Sequence, residues 1–286
     1  MDVPPESAPR PILVVGSPRS GTTMMGALIG SGPGVTQLGE YGGFYLAYEI
    51  AREELGRMPN PFLAQYFRSL RDHAISFATS IASEENSAFF IDSTPWNLLI
   101  ADELAHDLTG AIFILMLRHY SGVVQSLSRS DPSTYPWVGT TWKERAKVWS
   151  RFYGHAGELP FDRTVVVSYD KLCSSPGSAL EELSLRLAAF QVDVESFDLS
   201  ALATSHATNP CDQRPVLAHE REGGYVTRPI ASWDPQSWPT WMNKAIEPIV
   251  AGTDALLRQL FPVDYISPAH WVTPSGDRDP GRGFHH

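Results

Sequence analysis

Gly16-Ser-Pro-Arg-Ser-Gly21 runs directly into Thr22 and Thr23, and this mixture of small, hydroxylated and cationic residues is suited to holding an oxyanion. Backbone N–H groups at the start of a helix point at an anion, and the helix dipole favours negative charge there. Arg19 brings a fixed fork of donors, Thr22 and Thr23 add hydroxyls, and Pro18 stiffens the turn. Gly16 and Gly21 permit backbone conformations that are closed to other residues. Two glycines separated by four residues match the first part of a nucleotide phosphate loop, but Thr22 stands where that loop has its lysine. In a triphosphate site the lysine reaches the β- and γ-phosphates. Its loss from a retained cradle predicts a shorter anionic group, such as a 5′-phosphosulfate, and a transfer without Mg²⁺.

A second segment has complementary chemistry. The apolar run at residues 111–117 ends in Arg118, and Ser126 follows eight residues later in a helical stretch. An arginine at a strand's carboxyl end and a serine one or two turns into the next helix converge on one phosphate from two elements. Together the two segments closely resemble the sulfotransferases that use 3′-phosphoadenosine 5′-phosphosulfate (PAPS, leaving PAP as product). The resemblance implies that Arg19, Ser20, Gly21, Thr22 and Thr23 hold the 5′ end of PAPS, and that Arg118 and Ser126 hold its 3′-phosphate. A third stretch, residues 163–176, is similar to the family's strand followed by Tyr-Glu-x-Leu, with Asp170 in place of Glu. In relatives that tyrosine lies beside the nucleotide, so Tyr169 is a candidate contact. A half-buried tyrosine closing a sheet is the equal alternative. Thr227-Arg228-Pro-Ile-Ala-Ser-Trp233 occupies the region where the family closes a basic loop over the 3′-phosphate. Arg228 is the candidate there, while Arg221 reads more simply as solvated surface.

Sulfuryl transfer requires an acceptor stripped of its proton, in-line approach, and positive charge over the oxygens as the bond to PAP breaks. Arg19 is the candidate for that charge. A Gly-Glu element at this distance from the loop occurs in tyrosylprotein sulfotransferases and their bacterial relatives, which implies Glu40 of Gly39-Glu-Tyr41 as the base, with His206 as a fallback. In Ile91-Asp-Ser-Thr-Pro-Trp96, Ser93 stands where many relatives have a lysine, and the histidine of the cytosolic branch is missing. Tyr41, Phe44, Tyr45, Trp96 and Trp137 are expected to line an apolar acceptor pocket. The expected acceptor is a small or medium hydroxylated molecule of the secondary-metabolite kind. Two other classes stay open: a P-loop kinase-like phosphotransferase, and a non-catalytic nucleotide-binding protein that retains the fold.

The elements that must position these residues alternate. Strand signals at residues 12–15, 88–91, 111–117 and 164–168 are separated by helical patterns at 22–29, 44–55, 62–82, 97–108, 122–129, 141–153, 178–189 and 241–261. This predicts an α/β chain of the three-layer P-loop type, with a mostly parallel central sheet and helices on both faces. A length of 286 residues with 43% hydrophobic content suits one large domain. That domain is expected at residues 11–265, between a loose lead-in at 1–10 and a poorly ordered tail at 266–286. A formal net charge of −10 disfavours nucleic acid and anionic lipid as partners, so PAPS needs a local cationic pocket. Two cysteines, Cys173 and Cys211, form neither a disulfide framework nor a metal motif, so no metal is expected. The N-terminal stretch is proline-rich and acidic, unlike a secretion signal, and no apolar run is long enough to cross a membrane. A cytoplasmic location is the expectation.

Overall fold

The computed structural model describes residues 8–57, 61–174, 176–193 and 240–262. Five strands form the centre: β1 (Arg10–Gly16), β2 (Val35–Gln37), β3 (Phe89–Asp92), β4 (Ile112–Leu117) and β5 (Thr164–Ser168). Their spatial order is β2-β3-β1-β4-β5, and every neighbouring pair is parallel. The helices are α1 (Thr22–Gly30), α2 (Gly43–Arg57), α3 (Pro61–Glu84), α4 (Ala101–Asp107), α5 (Tyr120–Leu127), α6 (Trp142–Tyr153), α7 (Tyr169–Ser174), α8 (Pro176–Ala188) and α9 (Thr240–Leu260).

Alternation along the strands divides the core in two. Leu13 and Val15 of β1, with Phe113, Leu115 and Leu117 of β4, face α2 to α6 and α9. Ile12, Val14, Ile112, Ile114 and Met116 face α1, α7 and α8. With both faces covered, the strands read as continuous apolar runs, which is why they were legible without a turn signal between polar and apolar sides. The result is the three-layer P-loop-type fold expected from the sequence. No helix among the described residues is long and apolar enough to cross a membrane.

Two details depart from the sequence reading. β2 escaped notice because it has three residues at the sheet edge, Val-Thr-Gln. The helix expected at 97–108 is two pieces, a 3₁₀ helix at Pro95–Ile100 and then α4. Ile100, at φ −130° and ψ 29°, interrupts the α-helical path between them.

Topology also sets where a ligand can bind. The chain leaves β1 into α1 on one face of the sheet and leaves β4 into α5 on the other. Adjacent strands whose exits diverge leave a crevice beyond their carboxyl ends. The register aligns Gly16 with Met116, so the loop at 17–21 lies level with the exit of β4. Helix α6 braces that exit. Trp149 Nε1 donates to the Arg118 carbonyl at 3.0 Å, while the Tyr153 hydroxyl donates to Met116 O at 2.6 Å and accepts from Arg118 N at 3.1 Å. A capping box starts the helix: Thr141 Oγ1 accepts from Glu144 N, and Glu144 Oε2 accepts from Thr141 N.

Removing this cap by Thr141→Ala should lower unfolding stability by about 1 kcal/mol, read from denaturant midpoints. The backbone N–H of Thr141, with Thr140, holds the Glu144 carboxyl down from its ordinary 4.5 to about 2. A lowered folded-state value means that the stabilisation is complete above about pH 4.5 and is lost as pH falls through about 2. Glu144→Gln should therefore flatten the stability profile across that interval.

Candidate functional site

The loop after β1 is shaped by close approaches. A Cβ on Gly16 would lie 2.6 Å from Ser20 Oγ and 2.7 Å from the Met116 carbonyl, so only glycine fits between β1 and β4 there. Ser20 N donates to Ser17 O at 3.0 Å and closes the turn. Arg19 takes the left-handed conformation at φ 70°, uncommon outside glycine and characteristic of functional loops. Gly21, at φ 96°, caps α1, and a Cβ on it would lie 2.6 Å from the Tyr169 ring. The first-turn N–H groups of α1 thereby open toward the crevice, as an anion cradle requires.

Two hydrogen bonds join this loop to the exit of β4. Arg118 Nη1 donates to the Arg19 carbonyl at 2.6 Å, and Arg19 Nε donates to Ser126 Oγ at 2.9 Å. Arg118 is held from below by the Tyr169 ring, with its guanidinium carbon 4.2 Å from the ring centroid. A Cβ on Gly122 would lie 2.9 Å from Arg118 Nε, so α5 makes room for the guanidinium by lacking a side chain. Asp170 accepts from His119 N at 3.0 Å. Burial pushes the Asp170 carboxyl up, and the positive charge of Arg118 opposes that shift. Arg19, Ser20, Gly21, Arg118, Ser126 and Tyr169 thus form one connected group. Tyr169 is only 1% exposed, which makes it a support beneath Arg118 and Gly21 rather than an open contact surface. Arg228, Arg221 and His206 lie outside the described residues.

Glu40 is connected to the cradle through Thr23, whose hydroxyl donates to Glu40 Oε1 at 2.7 Å. The turn that carries Glu40 is clamped by the end of β3. Asp92 Oδ1 accepts from Tyr41 N at 3.2 Å, Thr94 Oγ1 accepts from Gly42 N at 2.9 Å, and Ser93 N donates to Gly39 O at 2.8 Å. Asp92 also accepts from Thr94 N, Thr94 Oγ1 and Asn97 Nδ2. Its burial pushes the carboxyl up, and these donors counter the shift. Ser93 sits against α1, where a Cβ on Gly26 would be 2.6 Å from Ser93 Cβ. The helix therefore packs directly onto Ser93.

The aromatic residues separate into two groups. Tyr45, Trp96 and Trp137 form a band, with ring centroids 6.5 Å apart for Tyr45–Trp96 and 4.9 Å for the edge-on Trp96–Trp137 pair, extended by Tyr135 and backed by Phe152. Tyr41 turns instead toward α3, donating from its hydroxyl to Ala74 O at 3.2 Å and stacking on Phe77. Phe44 corrects the sequence reading: it is fully buried against Tyr41 and Phe90, so it belongs to the core and not to a pocket wall. Sequence reasoning missed the bracing of Arg118 by Trp149 and Tyr153. The signal was available, since buried Trp and Tyr tips need polar partners. Among the described residues, no group of three His, Cys, Asp or Glu side chains could hold a metal ion.

Comparison with known proteins decides the family, because the sulfotransferase family model matches residues 11–188, a span that takes in both loop segments and continues into α8. The chain belongs to the sulfotransferase family. No curated protein sequence matches it. Solved structures similar to this sulfotransferase include the sulfotransferase domain from the curacin biosynthetic pathway, with 14% identity over 85% of this chain and 97% of that one and a TM-score of 0.49. The sulfotransferase domain of the Synechococcus PCC 7002 olefin synthase is similar at 16% identity over 88% of this chain and 98% of that one, with a TM-score of 0.47. A sulfotransferase from Alicyclobacillus acidocaldarius is similar at 12% identity over 88% of this chain and 97% of that one, with a TM-score of 0.46.

Replacing Asp92 by alanine would strand the buried N–H groups of Tyr41, Thr94 and Asn97 that it now satisfies. Asp92→Ala should cost about 3 kcal/mol of stability by chemical denaturation, the scale for leaving buried donors unpaired.

Proposed function

We propose that this sulfotransferase moves a sulfuryl group from PAPS to a hydroxyl of a small or medium acceptor with an apolar portion, using Glu40 as general base. The single observation that carries the reading is the contact between the two motif segments, Arg118 Nη1 on Arg19 O with Arg19 Nε on Ser126 Oγ. It brings two cations and a hydroxyl to one crevice at the start of α1, a donor set suited to a bis-phosphorylated nucleotide. The glycine cradle fits the same group, because side chains at Gly16 and Gly21 would collide with the surrounding residues.

In this reading the first-turn amides of α1, with Arg19, Ser20, Gly21, Thr22 and Thr23, hold the 5′ end of PAPS. Arg118 and Ser126 take the 3′-phosphate, with Tyr169 fixing Arg118 and Arg228 as a further cation. When bound, PAPS supplies the activated sulfuryl group. Arg19 and the loop amides offset the negative charge that develops on the bridging and equatorial oxygens. Glu40 accepts the proton of the acceptor hydroxyl, and its bond from Thr23 keeps the carboxylate beside the cradle. The band of Tyr45, Trp96 and Trp137 receives the apolar part of the acceptor, whose polar end stays within reach of Glu40.

Two measurements test this. PAP titrated without Mg²⁺ should bind the wild-type protein, and Arg118→Ala should weaken it at least about tenfold, the scale for a charge-assisted phosphate contact. A preference for ATP with Mg²⁺ would overturn the donor assignment. Glu40→Gln should keep PAP affinity and lower turnover by about two to four powers of ten; near-normal turnover removes Glu40 from the chemistry.

A further inference from the structure

Helix α3 buries one face and leaves a second one apolar. Phe67, Ala74, Ala78 and Ala82 make the inner face, and all are buried. On the outside Phe62 is 77% exposed, Tyr66 55% and Phe77 47%, with His73 exposed between the last two. Together with Ser69 these residues follow at intervals of four, three, four and four, so on a helix of 3.6 residues per turn they form one row about 22 Å long. Its far end is fixed in place, since the Phe77 ring stacks on Tyr41 at 6.1 Å and on His73 at 6.4 Å. Exposed aromatic residues scattered singly are ordinary, whereas an aligned row marks a contact surface.

The order of residues along the row says what covers it. About a point between Ser69 and Leu70 its aromatic positions read alike in both directions. Two copies of α3 laid antiparallel about a two-fold axis at that point bring Phe62 level with the partner's Phe77, and Tyr66 level with the partner's His73. The charges agree with that register. Arg71 turns inward over the Tyr48 ring at 4.2 Å, which leaves Arg68 and Asp72, both exposed, as the charged residues beside the row. They lie one turn apart on one flank, and the same axis sets Arg68 within one residue's rise, about 1.5 Å, of level with the partner's Asp72. Because the axis repeats the contact, the interface holds two opposite-charge pairs. The exposed parts of Phe62, Tyr66 and Phe77 amount to about 350 Å² of aromatic surface per copy. With the flanking side chains, two copies approach the lower end of specific interfaces, about 1,200 Å² in total.

We propose that α3 forms the interface of a two-fold dimer of this chain, with Phe62, Tyr66, His73 and Phe77 packed across the axis and Arg68 paired with the partner's Asp72. The association does not depend on the sulfotransfer reading. It seats the partner's Phe62 on the outer side of the Phe77–Tyr41 stack, next to the turn that carries Glu40.

Sedimentation velocity of the full chain tests this. Wild-type protein should pass from monomer to dimer between about 1 and about 200 µM, the affinity range of an interface this small. Tyr66→Glu, an exposed substitution whose far-UV circular dichroism should match the wild type, should stay monomeric across that range. Arg68→Asp and Asp72→Arg should each weaken dimerisation at least about tenfold, because one reversal makes both pairs repulsive. An equimolar mixture of those two variants should recover the dimer, since every pair across the axis is again of opposite charge. Wild-type protein that stays monomeric throughout overturns the proposal, as does a dimer that survives Tyr66→Glu or a mixture no better associated than its components. Monomers that float with phosphatidylcholine vesicles would give the face to a lipid surface and overturn it too.

Discussion

The Arg118–Arg19 hydrogen bond is the contact on which the crevice depends. At 2.6 Å it ties the exit of β4 to the loop after β1, and its acceptor is the backbone carbonyl of a residue held in the left-handed region. A carbonyl turned toward a guanidinium offsets the cost of that conformation, and the loop amides are then free to open toward an anion. Trp149 and Tyr153 grip the backbone on either side of Arg118, Tyr169 lies under its guanidinium, and Gly122 leaves space for it. An arginine supported on that many sides keeps its fork pointed without relying on a ligand to order it.

The other wall follows the same logic with a buried carboxylate in place of a cation. Asp92 collects N–H donors from the turn that carries Glu40 and from the start of the 3₁₀ helix that carries Trp96. One side chain therefore positions both the carboxylate proposed as base and part of the aromatic band. Its burial favours the neutral acid, and the converging donors favour the carboxylate, so the clamp works only while the network is complete. The close packing of Gly26 on Ser93 fills the space at the same strand end.

Periodicity and local chemistry made much of this legible. The apolar runs of β1, β4 and β5 stood out because both of their faces are buried, and the alternating helices implied parallel crossovers. β2 is too short to carry a period, and the break at Ile100 leaves no mark in an amphipathic pattern that continues across it. The candidate site divides in the same way. Arg19, Arg118 and Ser126 were singled out by spacing within their own segments, and the fold brings them into contact. Phe44 was misread because an aromatic residue near a site looks the same in sequence whether it faces the pocket or the core.

The amino-acid sequence by itself determined the strand-loop-helix units, the glycine-bounded loop, the arginine and serine that follow the fourth strand, and the membership of the family that those motifs signal. These are local properties, set by backbone conformational freedom, helix-terminal amides and residue spacing. Only the tertiary structure decided that Arg118 bonds to the Arg19 carbonyl, that Asp92 clamps the Glu40 turn, and that Trp96 and Trp137 meet edge-on. Each of those facts depends on the register and packing of elements tens of residues apart in the chain, and such long-range pairings are fixed by the shared burial of two faces of one sheet, which no local pattern encodes.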